Sequence, residues 1–175
     1  MACLAAYNEG KLHGVWIDPL LGAEHIEAEV AKMIAKSPAY GPEEALIHDY
    51  EGFQGFDIGE TGDWEFVAEV AELIDNNPLI AYLLKAEGYP ETVAGLKEAQ
   101  DYHDEHYWGK FESYREVAEE LLNEQGLLDE VPECLRGWID LQGYGEDLFG
   151  ASGSFFEIEV VDSQGLTHRH AYRNR

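Results

Sequence analysis

The chain has 175 residues, of which 45% are hydrophobic and 12% aromatic, so it can build a core and wholesale disorder is excluded. Its 36 Asp and Glu residues against 11 Lys and Arg give a net charge of −25 at pH 7, far beyond the magnitude of about 2–8 that suits a small soluble domain. Such an acidic surface repels phosphate. This excludes direct binding to nucleic acid or to an anionic membrane and favours a basic partner.

Residues 1–62 are predicted to form a mixed α/β domain. Ala23–Lys36 has apolar residues at helical spacing, which predicts an amphipathic helix that Ser37-Pro38 ends. The Gly-rich stretch 52–62 is expected to be a loop or linker. Three short strands are also expected in this segment: Ala2–Tyr7, Leu12–Ile17 and Ala45–Tyr50.

Residues 63–103 are predicted to be a helical domain. Trp64, Val67, Ala68, Ala71 and Ile74 recur at helical spacing and predict a first helix. Two prolines then open further helices, because proline is favoured at the first helical position. The expected spans are Pro78–Ala86, with Gly88 as the stop signal, and Pro90 to about Gln100.

Residues 104–175 are predicted to be a second mixed α/β domain. Ser113 is placed to cap a helix over Tyr114–Gln125, with Glu116 at the capping-box position. Shorter helical pieces are expected in Pro132–Trp138 and Ile139–Leu148. Strands are expected at Tyr107–Phe111, and at Ser154–Val161 and Leu166–Tyr172 as a hairpin.

The three segments together predict an α+β fold made of three small domains, 1–62, 63–103 and 104–175. The longest helical apolar run, Leu79–Leu84, is far too short to span a membrane. The N-terminus has no basic region followed by a long apolar stretch, as a signal peptide would have. We therefore expect a cytoplasmic protein in which Cys3 and Cys134 are free thiols.

The acidic residues form rows on the predicted helices, opposite the apolar faces. Neighbouring carboxylates in such a row lie about 6 Å apart along the axis, and each like-charged pair costs about 0.2–0.5 kcal/mol. An ordinary solvated face would intersperse lysines, yet the chain has only six. The pattern favours a negative surface that itself binds a partner, although halophilic adaptation stays open as an alternative. The predicted partner-binding acids are Glu65, Glu69, Glu72, Glu98, Asp101, Glu105, Glu112, Glu116, Glu119, Glu120 and Glu124.

The sequence contains few of the motifs that are typical of enzymes. His103 and His106, with Asp101, Asp104 and Glu105 beside them, have a helical spacing that could hold a metal, so a metal-dependent enzyme is kept as an alternative. The sequence has no P-loop, dinucleotide fingerprint, calcium loop or nucleophile elbow. No catalytic residue, metal or cofactor is predicted.

Several stretches resemble the ArdA family of antirestriction proteins, which conjugative plasmids, transposons and phages carry. The first two, 7–18 (YNEGKLHGVWID) and 47–53 (IHDYEGF), are the most specific because they are long and rich in uncommon residues. The other stretches are 67–74 (VAEVAELI), 118–121 (AEEL), 132–140 (PECLRGWID) and 147–148 (DL).

The resemblance implies an elongated, three-part α+β protein that forms a homodimer through its C-terminal part. It also implies a protein without catalytic residues or cofactor, which mimics bent B-form DNA and occupies the DNA groove of type I restriction–modification enzymes. A mimic or chaperone for another basic DNA-binding protein is the alternative. The basic end, with Arg169, Arg173 and Arg175, is expected to be a solvated terminal strand.

Overall fold

The computed structural model describes residues 1–60 and 62–174 and shows a mixed α+β fold, as predicted. The chain divides into two compact units, Met1–Asp101 and a second that begins at Tyr102. The predicted domains 1–62, 63–103 and 104–175 stay a prediction.

The first unit is mainly helical. Strand β1 (Ala2–Cys3) pairs antiparallel with β2 (Ala45–Leu46), and a 3-10 turn spans Pro19–Leu21. The helices are α1 (Leu4–Asn8), α2 (Ala23–Ala35), α3 (Trp64–Asn76), α4 (Leu79–Glu87) and α5 (Val93–His106), the last of which continues into the second unit.

The strands predicted in this unit are largely wrong. Ala2–Tyr7 is extended only at its first two residues and then forms α1, because an apolar run this short fits either structure and its Leu and Ala residues favour a helix. Leu12–Ile17 makes a single bridge, from Gly14 to Ala2. Ala45–Tyr50 is a strand only over its first two residues.

The predicted helices are confirmed, with one shift. The third helix of the central segment begins at Val93 instead of Pro90, and Thr92 Oγ1 accepts a hydrogen bond from Gly95 N at its start. It then runs to His106, beyond the predicted end near Gln100. Helix α3 is capped by Asp63, whose Oδ1 accepts hydrogen bonds from the backbone of Glu65 and Phe66.

The Gly-rich stretch before α3 is not a free linker. Its apolar side chains Phe53, Phe56 and Ile58 are buried. Helix α3 also buries one face, and α4 follows it closely after Asn77 and Pro78. The stretch therefore belongs to the core of the first unit.

The second unit is built on a three-stranded antiparallel sheet. Strands β3 (Tyr107–Phe111), β4 (Phe155–Val161) and β5 (Thr167–Arg173) have the order β3-β5-β4, which confirms the predicted strand and hairpin. Its helices are α6 (Tyr114–Glu124), α7 (Leu127–Glu130), α8 (Glu133–Arg136) and α9 (Leu141–Phe149).

Helices α6 and α9 pack together in the core of this unit. Gly145 of α9 is buried there, and a Cβ at this position would collide with the backbone carbonyl of Tyr114 at the start of α6. Only glycine allows the two helices to approach so closely. The buried apolar residues of this core include Phe111, Val117, Leu121, Leu141, Leu148 and Phe155.

Candidate functional site

Helix α3 carries a row of three exposed carboxylates, Glu65, Glu69 and Glu72. The opposite face of the helix is buried through residues such as Phe66 and Val70, so the amphipathic pattern directs the acids to solvent. Within residues 1–60 and 62–174, no ion pair involves any of the three. The α3 row is therefore a stretch of uncompensated negative charge.

Helix α5 carries a second row. The helix extends to His106, so it includes Glu98, Asp101 and Glu105 as the sequence analysis required, and all three are exposed. The only ion pair recorded for these three residues in the described part of the chain is a long one, from Glu105 Oε2 to His106 Nε2 at 3.9 Å. The negative charge of this row is also largely uncompensated.

Glu116, in the first turn of α6, has a structural role. Ser113 Oγ accepts a hydrogen bond from Glu116 N at 3.3 Å, as the predicted cap requires. The Glu116 carboxylate instead accepts one from Glu112 N at 2.8 Å, one residue before the position that a capping box uses. Glu116 is half-buried, so it serves the helix end more than the surface.

The remaining acids of α6 are exposed but partly paired. Glu119 lies 3.9 Å from Arg115, and Trp108 Nε1 donates a hydrogen bond to Glu120 at 3.3 Å. Arg173 of β5 forms an ion pair with Glu124 at 2.8 Å. The rows therefore differ, since the acids of α6 have cationic and hydrogen-bonding partners, whereas those of α3 form no ion pair in the described part of the chain.

The basic end of the chain is a strand, as predicted, but its arginines do not simply point into water. The Arg173 guanidinium lies over the Trp108 ring at 4.3 Å while it pairs with Glu124. Arg169 lies over the rings of Phe111 and Tyr114, at 4.9 and 5.1 Å. Arg173 is nevertheless exposed, as the prediction of a solvated strand requires, whereas Arg169 is half-buried and departs from it. Arg175 lies outside the described residues.

His103 and His106, the two histidines of the alternative metal site, contact aromatic side chains. His103 Nδ1 lies 2.8 Å from the Tyr172 hydroxyl, and the His106 ring stacks on Tyr102 at 4.3 Å. Burial lowers the pKa of His103 below its ordinary value. Across the described ranges, no group of three or more His, Cys, Asp or Glu side chains could hold a metal ion.

An apolar surface on the α7–α8 segment was missed by the sequence analysis. Trp138 is 86% exposed, and Leu127 and Leu135 are exposed as well. The sequence shows apolar residues in this segment but not their exposure, which follows because the two helices have four residues each and cannot bury a full apolar face. The three side chains are close together in the sequence, and a contiguous exposed apolar patch is typical of a protein interface.

Together these features define a small, strongly acidic α+β protein that presents carboxylates on its helices. A comparison with protein-family models matches residues 1–161 to the family described as antirestriction protein (ArdA), and the chain belongs to that family. The predicted resemblance is therefore confirmed. Membership implies an antirestriction function and an interaction with restriction–modification enzymes. The family consists of inhibitors and is not a known enzyme family.

Comparison with curated proteins and with solved structures finds no match. Among the described residues, no helix is both long and apolar enough to cross a membrane.

Proposed function

We propose that the protein is an acidic DNA mimic that competitively occupies the DNA-binding groove of type I restriction–modification enzymes. The uncompensated α3 row carries this proposal. An acid row without basic neighbours is unfavourable to the helix, and its exposure makes it available to the lysines and arginines that otherwise neutralise phosphates. Such an inhibitor performs no chemistry and needs no cofactor. It would act in the cytoplasm, on behalf of a mobile genetic element.

The proposal extends to all eleven predicted acids, with unequal contributions. Glu65, Glu69 and Glu72 of α3 and Glu98 and Asp101 of α5 are exposed, and none of them forms an ion pair with another described residue, so they would meet the enzyme's basic side chains directly. Glu116, Glu119, Glu120 and Glu124 of α6 would contribute less, because their side chains already have partners within the protein. Glu105 of α5 and Glu112, which precedes α6, are exposed, so they would also meet the enzyme's basic side chains directly.

We also propose that the protein acts as a homodimer through its C-terminal part, with the α7–α8 surface in the interface. Trp138 and Leu135 would be buried by a second copy, which removes their apolar area from water. A dimer would carry twice 36 acidic residues. At one charge per about 1.7 Å of duplex axis, this number corresponds to at most roughly 120 Å of DNA.

The test compares two variants with the same net charge. In one, Glu65, Glu69 and Glu72 are changed to Gln. In the control, three exposed acids outside the rows are changed to Gln: Glu24, Glu43 and Glu87. Exposed ion pairs are worth about 0.2–1 kcal/mol each, so the α3 variant should bind a type I enzyme about tenfold more weakly and the control less than threefold. Equal losses would contradict a role for the row.

The same binding assay addresses the alternative partner. A mimic directed at restriction–modification enzymes should bind them more tightly than it binds an unrelated basic DNA-binding protein. Equal affinities would favour a general acidic mimic or chaperone.

A further inference from the structure

The first unit contains a cavity of about 220 Å³ next to the start of α3. Its floor is apolar and buried, and is formed by Ile26, Ile47, Phe53, Ile58 and Val67. An apolar cavity of about 150 Å³ holds a benzene molecule. The space here therefore suits one ring or one long side chain rather than a drug-sized ligand.

Besides Phe53, three aromatic rings line the same cavity, from Trp16, Tyr50 and Trp64. Trp16 is 65% exposed, so its ring is accessible to an incoming group. The Tyr50 hydroxyl donates a hydrogen bond to Asp57 at 3.1 Å, which fixes its ring in place. Trp64 lies against Gly62, where any Cβ would collide with its ring. Two of the rings are thus held before a ligand arrives.

The charges at the cavity favour a cation. Asp49 and Glu51 line it with exposed carboxylates. Met1 also lines it, and its ammonium donates a hydrogen bond to Val15 O at 3.0 Å and interacts with the charge of Asp49. Two carboxylates against one ammonium, whose pKa is lowered by burial, leave the cavity negatively charged. Aromatic faces and carboxylates together attract a guanidinium, which stacks on rings and hydrogen-bonds to carboxylates through a planar fork.

We propose that this cavity binds one arginine side chain that the partner enzyme presents. The aliphatic stem would lie on the apolar floor, and the guanidinium would lie between the rings and the carboxylates of Asp49 and Glu51. This inference rests on the proposed function, because it takes the partner to be a basic DNA-binding surface. The bound arginine would fix the position of the partner in an interaction that otherwise depends on charges spread over the surface. Buried arginines often contribute strongly to binding at protein interfaces.

The first test uses a probe and the full chain alone. N-acetylarginine methylamide is titrated against the protein at millimolar concentrations, and the indole signals are followed by NMR. The uncharged isostere N-acetylcitrulline methylamide is the matched control. We expect arginine to shift the signals of Trp16 and Trp64 but not those of Trp108 and Trp138, and to bind at least tenfold more tightly than citrulline. Equal binding of both probes, or no shift at Trp16 and Trp64, overturns the proposal.

The second test uses the enzyme. Trp16→Ala should weaken binding to a type I enzyme about tenfold, whereas Tyr40→Ala should change it less than twofold. Tyr40 is the matched control because it is 97% exposed in the same unit and does not line the cavity. Equal binding of wild type and Trp16→Ala would contradict the arginine site but leave the proposed function standing. A wild-type protein that does not bind the enzyme would contradict the proposed function.

Discussion

Replacement of Glu69 by Gln should stabilise the protein, because the residue lies in the middle of the α3 row. Glu65 is four residues before it and Glu72 three residues after it, so its charge takes part in two like-charged pairs. Each pair costs about 0.2–0.5 kcal/mol. Gln and Glu have similar helix propensities, so removal of this charge should raise the free energy of unfolding by about 0.4–1 kcal/mol.

The measurement is urea unfolding of Glu69→Gln and wild type at two ionic strengths. The screening length is about 30 Å at 0.01 M salt and about 3 Å at 1 M. The gain should therefore be present at the low ionic strength and disappear at the high one.

Glu65→Gln is the matched control. Glu65 is in the first turn of α3, where a negative charge stabilises the helix by about 0.3–1 kcal/mol. This loss should offset the relief of repulsion. A destabilised Glu69→Gln at low salt, or a gain that persists at 1 M, would refute the reasoning. The single change should also weaken binding to the enzyme by less than about fivefold, as one exposed pair does.

Three further predictions concern the second unit. Gly145→Ala should lower the free energy of unfolding by about 1–3 kcal/mol, as overpacking against backbone does, whereas Gly137→Ala, which meets open space, should be close to neutral in the same denaturant titration. Trp138→Ala should shift the protein from dimer to monomer in sedimentation experiments, and an unchanged dimer would place the interface elsewhere. Burial lowers the pKa of both His103 and His170 from the ordinary 6.5, so the unfolded chain takes up protons first as the pH falls. The contribution of these two histidines to the free energy of unfolding should thus be constant above about pH 7 and decrease as the pH drops through about 6.5. Urea titrations at several pH values should show that the double change to Gln reduces this slope. The slope at higher pH, where burial lowers the pKa of the Met1 ammonium from 8.0, should remain.

Elements with local signals could be predicted from the sequence. Helices α3 and α6 were predicted because Asp63 and Ser113 supply caps and the apolar residues recur at helical spacing. The hairpin was predicted because turn residues separate two alternating segments. These signals act within a few residues, so they do not require the tertiary structure.

Elements that depend on tertiary contacts could not be predicted. The pairing of Arg173 with Glu124 joins residues 49 positions apart, and it requires the strand order β3-β5-β4. The segment Leu12–Ile17 has the composition of a strand, but among the described residues it forms one isolated bridge, from Gly14 to Ala2. The cavity is lined by residues from widely separated parts of the first unit, and no local pattern brings Trp16 and Trp64 together.

The most direct test of the central claim is competition for DNA. The protein is titrated into a purified type I methyltransferase core bound to labelled duplex, at two salt concentrations. We expect stoichiometric displacement that becomes weaker as the salt concentration rises, because charge pairing drives the binding. No displacement at low salt, or a displacement that salt leaves unchanged, would contradict DNA mimicry of that enzyme.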